Sequence, residues 1–137
     1  MSFRELEELF ASVAAPRRRG SHPGFIPAVD VFRTESPPQL VVTADLAGID
    51  QGDLELTVAD GVLSITGLRR RPHVGRAVYQ QMEIDYGPFE RRVPLGDDVD
   101  ARAAIAELER GLLTVRLPFR REPQRSVRVV IAVVRRQ

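Results

Sequence analysis

From residue 28 to residue 66 apolar and polar side chains alternate with a period of two, and each run ends in a turn signal. Val29 and Val31 flank Asp30, then Leu40, Val42, Ala44 and Leu46 share one phase, as do Leu54, Leu56 and Val58, and Leu63 with Ile65. Successive side chains of an extended strand point to opposite faces, so each run carries one apolar face that must be buried. Four strands are predicted here. They are separated by Ser36-Pro37-Pro38, by Ala47-Gly48-Ile49-Asp50-Gln51-Gly52 and by the hairpin-type pair Asp60-Gly61.

The pattern returns later in the chain. Gly61-Val62-Leu63 and Gly111-Leu112-Leu113 lie about fifty residues apart, and each opens an alternating run. Phe89, Arg91, Val93 and Leu95 read as a strand, Ala104 to Glu109 as a shorter one, and Leu113, Val115 and Leu117 as another. Short, closely spaced strands without helical pattern between them predict an all-β antiparallel sandwich. The stretch from Gly67 to Gly87 departs from this rule. It opens with Arg69-Arg70-Arg71-Pro72 and carries a candidate strand, Ala77 to Ile84, too far from its neighbours to be the arm of a tight hairpin. A projecting excursion of this length usually has a function or is a disordered insertion.

The two ends differ from the middle. Ser2-Phe3-Arg4-Glu5 has capping-box spacing, and Phe3, Leu6, Leu9, Phe10 and Val13 recur at intervals of three and four until Pro16 and Arg17-Arg18-Arg19-Gly20 end the pattern. A short amphipathic helix follows from this, too short to be stable alone. Its apolar face either packs on its own domain or serves self-association and the capture of apolar clients. Ser21 to Pro27 is a Gly/Pro-punctuated linker. At the other end an Arg-rich linker leads to Val129-Val130-Ile131-Ala132-Val133, an apolar and nearly terminal patch expected to dock on another copy of the chain.

A length of 137 residues allows one ordinary domain with two flanks: an arm over 1–26, a domain over 27–119 and an extension over 120–137. Catalytic inventories fail. His22 and His73 fall in linker-like stretches outside any spaced ligand set, and there is no Cys. Ser64 reads as an exposed strand residue without a Gly-x-Ser-x-Gly turn, and Asp97-Asp98 reads as a solvated loop pair. Neither an enzyme nor a cofactor is expected. All twenty basic residues are Arg, but nineteen acids balance them to a net charge of +1, which argues against a specific nucleic-acid partner for the clusters at 17–19, 69–71 and 135–136. No apolar run approaches the roughly 20 residues of a membrane span, and Met1 to Val13 lacks the pattern of a signal peptide, so a cytoplasmic protein is expected.

Several ordered segments resemble one family. Pro27-Ala28-Val29-Asp30-Val31, Ala44-Asp45-Leu46-Ala47-Gly48 followed by Asp53-Leu54, Asp60-Gly61-Val62-Leu63-Ser64-Ile65-Thr66-Gly67 and Tyr86-Gly87-Pro88-Phe89-Glu90-Arg91 resemble the α-crystallin domain of bacterial small heat-shock proteins. Ala106-Glu107-Leu108-Glu109-Arg110-Gly111-Leu112-Leu113 fits that family's A-x-x-x-x-G-x-L signature, and Ile131-Ala132-Val133 fits its C-terminal I-x-I/V motif. Ala47, Gly96 and Ala132 stand where the family usually has Pro, and Ile84 where it commonly has Arg.

The resemblance implies an immunoglobulin-like sandwich that forms dimers and larger homo-oligomers and holds unfolding client proteins without ATP. It further implies that Ile131 and Val133 fill a groove between two strand edges lined by Leu54, Leu56, Val58 and Ile105. The excursion, carrying Tyr79 and Met82, would cross to a partner's sheet with Arg91 at or near that interface, and Phe3, Leu6, Leu9, Phe10, Val13 and Phe25 would meet clients. Two other classes are a co-chaperone-like adaptor sandwich without an oligomerising tail and a nucleic-acid module whose Arg clusters converge on one face. With Ala132 in place of Pro, a shifted tail register using Val129 and Ile131 is also open.

Overall fold

The computed structural model describes Arg4 and residues 24–121 and 127–136. The helix predicted over the first segment lies, apart from Arg4, outside the described residues. Among the described residues nine strands follow in order: β1 (Val29–Glu35), β2 (Pro38–Asp45), β3 (Leu54–Ala59), β4 (Val62–Arg69), β5 (Gly87–Pro94), β6 (Ile105–Glu109), β7 (Leu112–Pro118), β8 (Val129–Ile131) and β9 (Val133–Arg135). They form a five-stranded sheet, β1-β2-β7-β6-β9, and a four-stranded sheet, β5-β4-β3-β8. All pairings are antiparallel except β6 with β9.

The two Gly-x-Leu motifs are two copies of one device. Asp60 and Gly61 have φ of 51° and 71°, and Arg110 and Gly111 have φ of 52° and 80°. Two consecutive residues in the left-handed region make the two-residue hairpin turn whose twist matches the strands on either side. The register after each turn is thereby fixed, with Ala59 opposite Val62 and Glu109 opposite Leu112.

The period-two phase then decides burial. Leu40, Val42, Ala44, Ala106, Leu108, Leu113, Val115 and Leu117 line the inner face of the larger sheet. Leu56, Val58, Leu63, Ile65, Phe89 and Val93 face them from the smaller one. The sandwich is the predicted immunoglobulin-like antiparallel class, and its core is continuous from Leu46 to the tail residue Ile131. Ser64, read as exposed, is half-buried.

Close approach fixes the signature residues. A Cβ on Gly111 would lie 2.8 Å from the Ala47 Cα, and the Leu46 amide donates to the Gly111 carbonyl at 2.7 Å. Gly67, in the middle of β4, is packed tighter still: a Cβ there would meet the Asp53 carbonyl oxygen at 2.2 Å and the Phe89 ring at 2.8 Å. Gly96 has a φ of 83°, a backbone conformation closed to the Pro usual in the family at this point.

The excursion does not form its candidate strand. Ala77 to Ile84 carries no ladder within the chain, and the outer edge of β5 is left unpaired. No helix among the described residues is long and apolar enough to cross a membrane.

Candidate functional site: the tail groove and the excursion

A sheet edge is a row of unpaired amides and carbonyls that any extended segment can satisfy. Without the tail, β3 and β6 would be such edges, one in each sheet, on the same side of the sandwich. The tail covers both. Val129, Val130 and Ile131 pair antiparallel with Val58, Thr57 and Leu56 of β3. The chain changes sheets at Ala132, and Val133, Val134 and Arg135 run parallel to Ala106, Glu107 and Leu108 of β6. The segment expected to dock on another copy thus lies in the groove of its own chain.

Side chains of one phase point into the groove. Ile131 is buried, at 6% exposure, and Val129 and Val133 pack against the core beside it. Among the residues expected to line the groove, Leu56 and Val58 are buried and Leu54 packs partly against the core. Ile105 does not line it. It is 56% exposed on the outer face of the larger sheet, in a cross-strand row with Arg116, Val41 and Phe32. Ala106 and Leu108, in the opposite phase of β6, take its place under the tail. Val129, Ile131 and Val133 share the inward phase, the first two on β3 and the third on β6.

Polar contacts hold the tail where its apolar contacts end. The Gln51 side-chain amide donates to the Val133 carbonyl, and the Arg136 amide donates to the Leu108 carbonyl at 2.9 Å. Arg128 lies 3.8 Å from Glu55 of β3, and Arg136 lies 3.7 Å from Glu107 of β6, a carboxylate that also meets Arg116 at 3.6 Å. The sequence offered no signal for Gln51, which sits in a turn, nor for Glu55 and Glu107 as contacts of the tail.

At the start of β3, Asp53 receives a two-pronged bond from Arg70, Nε to Oδ2 at 2.8 Å and an Nη to Oδ1 at 3.0 Å. This hydrogen bond holds the Asp53 carboxyl below its ordinary value of 3.8 and raises the Arg70 guanidinium. The pair ties the first residues of the groove strand to the end of β4.

Beyond Arg70 the excursion folds back on itself through rings and guanidinium groups. Arg71 lies over Tyr86 at 4.5 Å and over Tyr79 at 5.4 Å, and Arg69 lies over Phe25 at 4.3 Å and Tyr86 at 5.4 Å. Phe25 in turn meets Phe89 edge to face at 5.4 Å. Five cation–π and ring contacts thus link the arm's exit to the excursion, a type of packing that orients flat groups. Phe25, expected to meet clients, is half-buried in this stack, whereas Phe3, Leu6, Leu9, Phe10 and Val13 lie outside the described residues.

Tyr79 and Met82 share a concavity of about 250 Å³ with Val74 and Ile84. Val74, Tyr79, Met82 and Ile84 are all exposed there, and Val78, outside the concavity, is exposed to 90%. Arg91 lies outside that concavity, on β5 opposite Ile65. It shares the inward phase of Phe89 and Val93, is half-buried, and its side chain makes no hydrogen bond or ion pair among the described residues.

Residues 33–133 match the Hsp20/alpha crystallin family. The chain belongs to that family. This small heat-shock protein is 34% identical to Spore protein SP21 of Stigmatella aurantiaca over 77% of its own length, and 36% identical to the 19.0 kDa class II heat shock protein of Oryza sativa subsp. japonica over 70%. It spans 62% and 59% of the length of those two relatives. A small heat-shock protein from Xylella fastidiosa, solved by crystallography, superposes with a TM-score of 0.63 at 34% identity, covering 77% of this chain and 96% of that one. In this small heat-shock protein Ala106 of the family signature lies opposite Val133 of the tail, Gly111 makes room for Ala47, and Leu113 is buried in the core.

Proposed function

We propose that this chain is an ATP-independent holdase that binds unfolding proteins and keeps them from aggregating, working as an oligomer built from dimers. The observation that carries this reading is the tail: two β-branched side chains, Ile131 and Val133, seated across the edges of β3 and β6 by two three-residue strands. Burying two such side chains contributes about 3 to 6 kcal/mol before ordering costs, a range in which a tail docks and leaves repeatedly. A tail that leaves its own groove for that of another copy links subunits, and many weak links multiply. The Xylella fastidiosa relative is described as having a distinct high order structure, which supports assembly of this kind.

Dimer formation is assigned to the excursion, with Tyr79 and Met82 reaching a partner and the unpaired, half-buried Arg91 at or near the contact. In the dimer Ala77 to Ile84 gains from the partner the ladder it lacks in one chain. Clients are assigned to the arm, residues 1–26, through Phe3, Leu6, Leu9, Phe10 and Val13, with Phe25 joining them when its stack on Phe89 opens. The domain proper then spans 27–119, and the extension 120–137.

One observation favours a second reading, a non-oligomerising adaptor: the tail fills the groove of its own chain and leaves it closed. Light scattering of a thermally aggregating model client, without nucleotide, separates the two when run beside size-exclusion chromatography of the wild type and Ile131→Ala/Val133→Ala. Suppressed aggregation and a large particle that collapses toward dimers in the variant support the holdase. Unchanged aggregation with one small particle for both proteins supports the adaptor.

A further inference from the structure

Apolar seats alone select poorly among tails, because many extended segments carry alternating β-branched residues. The charges beside these seats are arranged with more order. On the smaller sheet Glu55 meets Arg128, three residues before the buried Ile131, and on the larger sheet Glu107 meets Arg136, five residues after it. Each sheet therefore contributes one outward carboxylate, and the tail contributes one guanidinium at each end. Glu107 is the less exposed of the two carboxylates and sits between Arg116 and Arg136.

We propose that the groove chooses its tails by flanking charge: it accepts an I-x-V segment with basic residues three before and five after the buried Ile, and rejects one with acidic residues there. The partner it fits is the tail of a second copy of this chain, which carries Arg at both places. The inference rests on the reading of Ile131 and Val133 as the docking motif. Exposed ion pairs are individually weak, so two of them change occupancy roughly 2- to 30-fold. Reversing one side replaces attraction by like-charge repulsion, which is where discrimination arises.

The absence of any native Cys allows a direct test in the full chain. Thr57 and Val130 lie opposite each other across β3 and β8, so with a fixed concentration of oxidised glutathione as the electron acceptor the Thr57→Cys/Val130→Cys protein forms a disulfide at a rate set by how often the tail is seated. That rate is compared in four backgrounds: unaltered charges, Glu55→Arg/Glu107→Arg, Arg128→Glu/Arg136→Glu, and all four reversals together. The expected result is a loss of about tenfold in each half-reversed background and recovery to within about twofold when all four are reversed. The Glu55→Arg and Arg128→Glu reversals, made alone and together, repeat the test away from Arg116, so a folding failure caused at position 107 does not decide it. Equal rates everywhere overturn the charge selection while leaving tail docking intact. Losses without recovery overturn it too, since pairing is then not the cause. No disulfide in any background removes the docking reading itself, and the selection with it.

Discussion

The side-chain amide of Gln51 donates to the backbone carbonyl of Val133, so a turn residue before β3 clamps the tail just after it has changed sheets. Replacing Gln51 with Ala removes one hydrogen bond, about 0.5 to 1.5 kcal/mol, from the docked tail and nothing from the core. Amides of β8 and β9 are expected to exchange with solvent several-fold faster in Gln51→Ala, with protection in β4 and β7 unchanged.

Ile131→Ala empties the buried seat beside Leu56. In a closed core such a truncation costs about 2 to 5 kcal/mol, but a tail that has undocked has nothing further to lose. Hydrogen exchange in β8 should therefore lose its protection entirely, whereas the melting temperature of the sandwich falls only slightly. A large drop in melting temperature would mean that the tail is an integral strand of the fold.

Gly111→Ala acts on the fold itself. The new Cβ would lie 2.8 Å from the Ala47 Cα at a residue whose φ is 80°. Left-handed strain and the clash together destabilise by about 2 to 4 kcal/mol. Thermal unfolding monitored by circular dichroism should show the loss, and Leu112→Ala, at the exposed neighbouring position, should not.

The Asp53 and Arg70 pair makes stability depend on pH in one direction. The Asp53 pKa is depressed in the folded chain, so the unfolded chain takes up the proton first as pH falls. The pair's contribution is fully present above the ordinary value of 3.8 and is lost as pH drops from there through the lower folded value. Asp53→Asn should flatten this part of the acid unfolding curve and leave stability at pH 7 less sensitive to salt. Chemical denaturation at a series of pH values measures both.

Arg91→Ala tests the excursion interface. Because Arg91 has no polar partner among the described residues of its own chain, its removal should alter the folded single chain little. Sedimentation velocity at low concentration should show the dimer boundary shifting toward monomer, and Met82→Arg should do the same from the other side of the proposed contact.

Much of the sandwich was legible because the two devices that define it are local. Alternation sets the inward phase of each strand, and the Asp60-Gly61 pair requires no distant information to form its turn. The groove was legible only in part. The pattern Ile105-Ala106-Glu107-Leu108-Glu109 holds the answer in its phase, since Glu107 and Glu109 mark the outward face and Ile105 shares it. The family resemblance pointed to Ile105, and the phase points to Ala106 and Leu108. Phe25 was read as part of the arm because the stack that half-buries it joins residues 25, 69, 86 and 89, which no local pattern relates. The excursion misled for a different reason: Ala77 to Ile84 has strand character, but a strand forms only where a partner lies alongside it, and pairing is not a property of one segment.

The crossing at Ala132 gives the tail two short grips in series where a single strand would have one long one. Pulling from Gln137 loads β9 first, three residues held to β6, while the three residues of β8 still hold Ile131 against Leu56. Release from that end is therefore a latch with a middle notch: in its half-open position the Val133 seat is vacant while the Ile131 seat is still filled.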